Sequence, residues 1–155
     1  MLKRFFLYMV LVFAWACTTK TIPGTDLSDT ESNRALLEML DEYRMAFEGK
    51  DVERIVRLLD TSFADDGGSA DVADDMDYAN ARERFAELFS RINNVRLQMN
   101  FRKLEPSKSD PDVYWVSYSY MLSFSMGDKN MQDSDVKQMH VKKTKEGSWL
   151  ILSGI

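Results

Sequence analysis

From residue 114 to residue 126 every even position is apolar: Tyr114, Val116, Tyr118, Tyr120, Leu122, Phe124 and Met126. Ser117, Ser119, Ser123 and Ser125 sit between them, with Trp115 and Met121 as exceptions. A period of two sends the first set to one face of a β-strand and the second to the other. A strand this long, with one bulky face and one small polar face, belongs in an antiparallel sheet covered on one side only.

The flanking segments extend this sheet. Val95, Leu97, Met99 and Phe101 alternate with Arg96, Gln98, Asn100 and Arg102, which predicts a second half-buried strand. Residues 105–112, with Pro106 and Pro111, read as a turn. Residues 127–135 are expected to be a hairpin connection, 136–143 a strand, 145–148 a tight turn and 149–155 the last strand. Trp149 to Leu152 is apolar throughout. Trp149 and Ile151 would face the core, leaving Leu150 and Leu152 outside with Trp115 and Met121, a patch suited to a homodimer through the outer sheet face.

Upstream of residue 94 the period is helical. Leu36, Leu40, Tyr43 and Phe47, broadened by Leu37 and Met39, predict a helix over 30–48. Ser28 and Glu31 have capping-box spacing at its start, and Gly49 is expected to end it in a left-handed conformation. Asp51 is placed to cap a short second helix that buries Val52, Ile55, Leu58 and Leu59. A third helix over 78–91 carries Ala81, Phe85, Leu88 and Phe89 on one side, with Ile92 just beyond. Between them, residues 60–77 hold Asp60, Asp65, Asp66, Asp71, Asp74, Asp75 and Asp77 and no Lys or Arg, and read as a loop. Helices followed by a strand meander define an α+β domain, and 155 residues suit one such domain.

The N-terminus sets the compartment. Lys3 and Arg4 precede an apolar run of 12 residues, Phe5 to Ala16. A spanning helix needs about 20 apolar residues, so residues 1–16 read as a cleavable signal peptide. Ala14, Trp15 and Ala16 before Cys17 resemble a bacterial lipobox, although Trp15 is bulkier than the usual residue there. The resemblance implies that Cys17 is lipidated, and Thr18 in place of Asp implies the outer membrane. The expected protein is exported and lipid-anchored in the cell envelope, on the periplasmic side. Residues 17–29 read as lipidated cysteine and tether, and ten extended residues reach on the order of 30 Å. The domain follows over 30–155. Loss of Lys3 and Arg4, and of no acid, takes the net charge from −5 to −7. Such a domain is a poor partner for nucleic acid. One cysteine permits no intrachain disulfide.

The segments EYRMAFEGKD (42–51), with its following helix VERIVRLLD (52–60), ARERFAELFSRI (81–92) and KEGSWLILSG (145–154), in this order and around long strands, resemble the NTF2-like superfamily, including its SnoaL-like and ketosteroid-isomerase-like branches. The resemblance covers residues 30–155. It implies a strongly bent antiparallel sheet wrapped as a cone around about three N-terminal helices, with a pocket inside. That fold hosts enzymes, binders and scaffolds alike, so it assigns no activity.

Candidate pocket residues are Tyr43, Phe47, Phe63, Phe85, Phe89, Tyr118, Tyr120 and Trp149, which equally could fill a core. The isomerase-like branch pairs a first-helix tyrosine with an aspartate after the second helix, which points to Tyr43 with Asp65 or Asp66 as candidate catalytic groups. The branch also places an acid on the inner sheet, and the apolar faces of 95–101 and 114–126 hold none. The favoured reading is therefore non-enzymatic: a tethered domain binding a small apolar ligand or a protein partner. The pocket mouth is expected under the acidic 60–77 loop, selecting neutral or cationic ligands. His140 shares parity with Gln138 and Lys142 and is expected to face outward. The aspartates lack calcium-loop spacing, no thiol remains for zinc, and no cofactor motif is present, so neither metal nor cofactor is expected.

Overall fold

The computed structural model describes residues 20–67 and 75–155. The signal peptide, Cys17, Asp71 and Asp74 lie outside the described residues. Three helices, α1 (Glu31–Glu48), α2 (Val52–Leu58) and α3 (Ala81–Arg91), pack on one face of a four-stranded antiparallel sheet. Its strands run in sequence order: β3 (Asn93–Pro106), β4 (Val113–Met126), β5 (Lys129–Lys143) and β6 (Trp149–Ser153). A two-stranded ribbon, β1 (Ala64–Asp65) with β2 (Met76–Asp77), lies between α2 and α3.

β4 is the spine of the sheet, pairing with β3 on one side and along its whole length with β5 on the other. Val116 and Tyr118 are buried against the helices, whereas Tyr120, Leu122 and Phe124 are half-buried and Met126 is exposed. The β4–β5 hairpin thus extends past its helical cover. Register shifts near Asn93, Phe101 and His140 interrupt the ladders, the usual device for bending a strand. The core lies between the inner sheet face (Val95, Leu97, Val116, Met139, Val141, Ile151) and the helices (Leu36, Leu40, Ile55, Phe85, Phe89).

Several local expectations change. α1 is capped by Thr30, whose side chain accepts from the Asn33 N–H at 3.1 Å, while Ser28 offers its carbonyl to the Asn33 amide. The box pairing Ser28 with Glu31 does not form, because the helix starts two residues later than that spacing needs. Gly49 is right-handed, and the left-handed residue is Lys50, at φ 55°. A left-handed non-glycine costs about 1–2 kcal/mol. The Lys50 ammonium offsets it by donating to the Phe89 and Ile92 carbonyls and to Asn93 Oδ1, at the negative end of α3. Asp51 caps α2 through the Arg54 N–H.

α3 starts at Ala81, since Asp77 and Asn80 exchange side-chain and backbone hydrogen bonds that turn the chain first. Leu88 is 39% exposed rather than buried. β5 begins at Lys129, so the stretch 129–135 is strand, brought into register by a tight turn at Gly127. Residues 20–29 are folded rather than extended. The Asp29 N–H reaches Lys20 O, the Ile22 N–H reaches Leu27 O, Thr21 bridges to Ser28, and Leu27 is buried.

Candidate functional site

A cavity of about 270 Å³ opens between the helices and the far half of the sheet. α1 contributes Tyr43 and Phe47, one turn apart on its buried face. α3 contributes Phe85 and Leu88, β3 Leu97 and Met99, and β4 Tyr118, Tyr120 and Leu122. Met76, Asp133, Lys137 and Ile155 complete the wall. The aromatic walls brace one another edge-on: Phe47 meets Phe89 at 5.2 Å and 84°, and Phe85 at 6.5 Å and 87°.

Five of the eight pocket candidates therefore meet here: Tyr43, Phe47, Phe85, Tyr118 and Tyr120. The other three do not line the cavity. Phe63 is packed in the core at 2% exposure, and Phe89 stands behind Phe47 and Phe85. Trp149 lies toward the opposite end of β4, edge-on to Tyr114, with its indole N–H on Ser32 O at 3.0 Å. Parity could have found Leu97, Met99 and Leu122. Nothing local marks Met76 or Ile155 as wall residues.

The three tyrosines differ in what their hydroxyls do. Tyr118 donates to Gly154 O at 2.7 Å, and Tyr120 donates to Asp133 Oδ2 at 2.7 Å. Tyr43 is 4% exposed, and its hydroxyl has no hydrogen-bond partner among the described residues. Burial first, then Tyr118 and Asp65, pushes the Tyr43 phenol far above its ordinary value. Burial, with Asp65 and then Tyr120 behind it, does the same to Tyr118. Tyr120 is pushed up to about 12 by burial and then by its bond to Asp133. All three are neutral phenols at physiological pH, able to donate or accept but not to act as anions.

Asp65 lines the groove beside the cavity and is held by backbone N–H groups. Its Oδ1 accepts the Gly67 N–H at 2.9 Å, and its Oδ2 accepts the N–H groups of Gly154 and Ile155. The carboxylate is committed to holding the 154–155 backbone beside the cavity. Asp66, with Asp65, Asp75, Asp77 and Asp135, lines an adjoining open groove of about 860 Å³, which shares Met76 and Lys137 with the cavity. The acidic residues thus rim that groove. The cavity itself carries one acid, Asp133, and one base, Lys137, whose ammonium reaches Ile155 O at 3.2 Å and sits 5.7 Å above the Tyr120 ring. Of the described residues of the 60–77 segment, Met76 alone lines the cavity, and Met76 and Lys137 are shared with the acidic groove.

His140 stands on the outer face beside Trp115, ring to ring at 3.7 Å, and is half-buried in the groove wall. Burial lowers its pKa, with Asp65 opposing. Among the described residues no three His, Cys, Asp or Glu side chains converge as metal ligands would.

The sequence matches no family model and no curated protein. Solved structures do match. A conserved protein from Planctomyces limnophilus superposes with a TM-score of 0.67 at 8% identity, covering 79% of this chain and 91% of its own. A ketosteroid isomerase-like protein from Erwinia carotovora gives 0.60 at 12% identity, covering 81% and 94%. A protein with a cystatin-like fold from Caulobacter vibrioides gives 0.59 at 13% identity, covering 81% and 87%. At these identities the likeness is one of fold. The protein shares the α+β fold of these ketosteroid isomerase-like and cystatin-like structures, three helices on an antiparallel sheet.

Proposed function

We propose that this is a lipid-anchored, non-enzymatic binding domain of the cell envelope, exported by residues 1–16, held through Cys17 on the periplasmic side of the outer membrane, and taking a small neutral, largely apolar ligand in the cone. The observation that carries the ligand reading is Tyr43: its ring is buried in the wall of an apolar cavity, and its hydroxyl, with no hydrogen-bond partner among the described residues, is reached from that cavity. A guest with one acceptor would gain a net hydrogen bond there, worth about 0.5–1.5 kcal/mol. A dry cavity of about 150 Å³ already holds benzene, so 270 Å³ suits one substituted ring or a small bicycle. Engagement of Asp65 by three backbone N–H groups argues against its use as a catalytic base beside Tyr43.

A thermal-shift series of neutral one- and two-ring compounds and fatty acids against residues 17–155 with Cys17→Ser tests this. A melting temperature that climbs with the concentration of neutral compounds supports binding. No hit, or hits among fatty acids alone, rejects it.

A homodimer through the outer sheet face belongs to the same proposal. Trp115, Met121 and Val136 are exposed there, with Val136 at 61%, and Leu150 and Leu152 are half-buried. A clean monomer in sedimentation equilibrium at about 100 µM rules it out.

A further inference from the structure

β5 runs for 15 residues and its outer neighbour β6 for only 5. β6 pairs with Lys143, Lys142, Val141 and His140. Among the described residues no strand lies beside the earlier part of β5 on the side away from β4. Two hydrogen bonds tell which main-chain groups of that bare stretch face outward. The Lys143 N–H reaches Asp112 O, on the β4 side, while the Val136 N–H turns to Asp135 Oδ1. The β4–β5 register is unbroken, so odd residues of β5 bond to β4 and even ones point away from it. Asn130, Gln132 and Ser134 therefore present N–H and C=O to the open edge, and Val136 its C=O. Residues 129–136 are exposed throughout, and the stretch 129–137 spans about 30 Å at strand spacing.

We propose that the open edge of β5 accepts an extended basic segment of another protein as a further strand of the sheet, antiparallel to β5, with Lys or Arg at two alternate positions. The edge borders the acidic groove. Asp135 belongs to both, and the β1–β2 ribbon with its flanks supplies Asp65, Asp66, Asp75 and Asp77, against Lys137 in the groove wall and Arg84 on Asp75 O. The other edge of the sheet has the opposite character: β3 carries exposed Arg96, Arg102 and Lys103, and Glu48 takes its Leu97 N–H at 2.9 Å. A basic strand thus has one complementary edge. Main-chain hydrogen bonds hold such a guest, and register selects its side chains. Directly opposed residues of an antiparallel pair share a face. Guest residues that bond to Gln132, Ser134 and Val136 therefore point to the outer face, where Val136 is 61% exposed, and β-branched residues fit there. The residues between them point to the inner face, which Asp133 and Asp135 share with Leu122 and Tyr120. Lys129 and Lys137 stand on that same face at the two ends of the stretch, so the guest's bases belong in the middle, opposite the two aspartates.

The probe is the peptide Thr-Val-Lys-Val-Lys-Val-Thr with blocked ends and a neutral dye, and fluorescence anisotropy follows its binding to the full chain in non-ionic detergent at low salt. Replacing both lysines by glutamate should weaken binding at least about tenfold. Methylating the valine amide nitrogens, which removes the donors to β5, should also weaken it at least about tenfold, whereas methylating the lysine amide nitrogens, which face away, should cost less than about threefold. In the chain, Ser134→Pro deletes an outward N–H that β4 does not use and should abolish binding. Should that variant fail to fold, the two methylated isomers carry the test on the wild-type chain. Equal affinity for the two isomers would mean that charge alone holds the peptide and would overturn the proposal. So would no binding, or equal binding of the glutamate peptide. A dimer that Ser134→Pro dissociates, with no peptide bound by the wild type, would give the edge to a second copy and overturn it as well.

Discussion

The carboxylate of Asp65 accepts the backbone N–H of Ile155 at 2.9 Å. With the Gly154 N–H on the same oxygen, Tyr118 on Gly154 O and Lys137 on Ile155 O, three elements grip two residues of backbone. Ile155 forms part of the cavity wall, so this grip sets the shape of the site.

Removal of the carboxylate should loosen that wall. Hydrogen bonds to charged groups contribute about 1.5–3 kcal/mol, so Asp65→Ala is expected to lower unfolding stability by that order in urea titration. Gly154→Ala should cost more than about 2 kcal/mol. Its φ is +85°, and a Cβ there would stand 2.0 Å from Gln138 O. Gly147→Ala is the control: the φ is +89° but the space is open, so only the left-handed strain of about 1–2 kcal/mol applies. Equal losses at the two glycines would show that residue 154 is not held in close contact with β5.

Patterns that repeat along one element were legible before any coordinates. The parity of 114–126 fixed β4 and its inner face, and the spacing of Leu36, Leu40, Tyr43 and Phe47 fixed α1. What stayed hidden depends on partners distant in sequence. Residues 130–135 read Asn-Met-Gln-Asp-Ser-Asp, poor strand formers that are held as strand by the ladder to β4. Lys50 takes the left-handed position because of carbonyls 39 and 42 residues away. Asp65 looks like a candidate base in sequence, and only the fold shows it bonded to N–H groups 89 and 90 residues on. The aromatic excess of β4 also has a physical reason: the strand outruns the helices, so Tyr120 and Leu122 wall an opening rather than fill a core.

Stability should fall in two steps as pH is lowered. Burial holds the folded His140 below its ordinary value, so the unfolded chain binds that proton first. Stability is lost from about pH 6.5 downward to the lower folded value. Asp60 is held below 3.8, chiefly by the Ser62 hydroxyl at 2.6 Å. Its contribution is present above 3.8 and is lost as pH falls through its folded value. Urea midpoints taken between about pH 7 and pH 5 should drop in the wild type and drop less in His140→Gln. An identical drop in both would assign the upper step elsewhere.

Lipidation is checked by metabolic labelling with an alkyne palmitate. The wild type should carry the label and Cys17→Ser should not; equal labelling would remove the anchor from the account.

The central claim is that Tyr43 offers an unpaired neutral phenol to a guest in the cone. Titration calorimetry with acetophenone and isopropylbenzene, the same shape with and without an acceptor, measures it on the wild type and on Tyr43→Phe. The substitution should weaken acetophenone about 2- to 12-fold, the range of one net hydrogen bond, and leave isopropylbenzene and the urea midpoint unchanged. If neither compound binds the wild type, or if Tyr43→Phe weakens both equally, the claim is wrong.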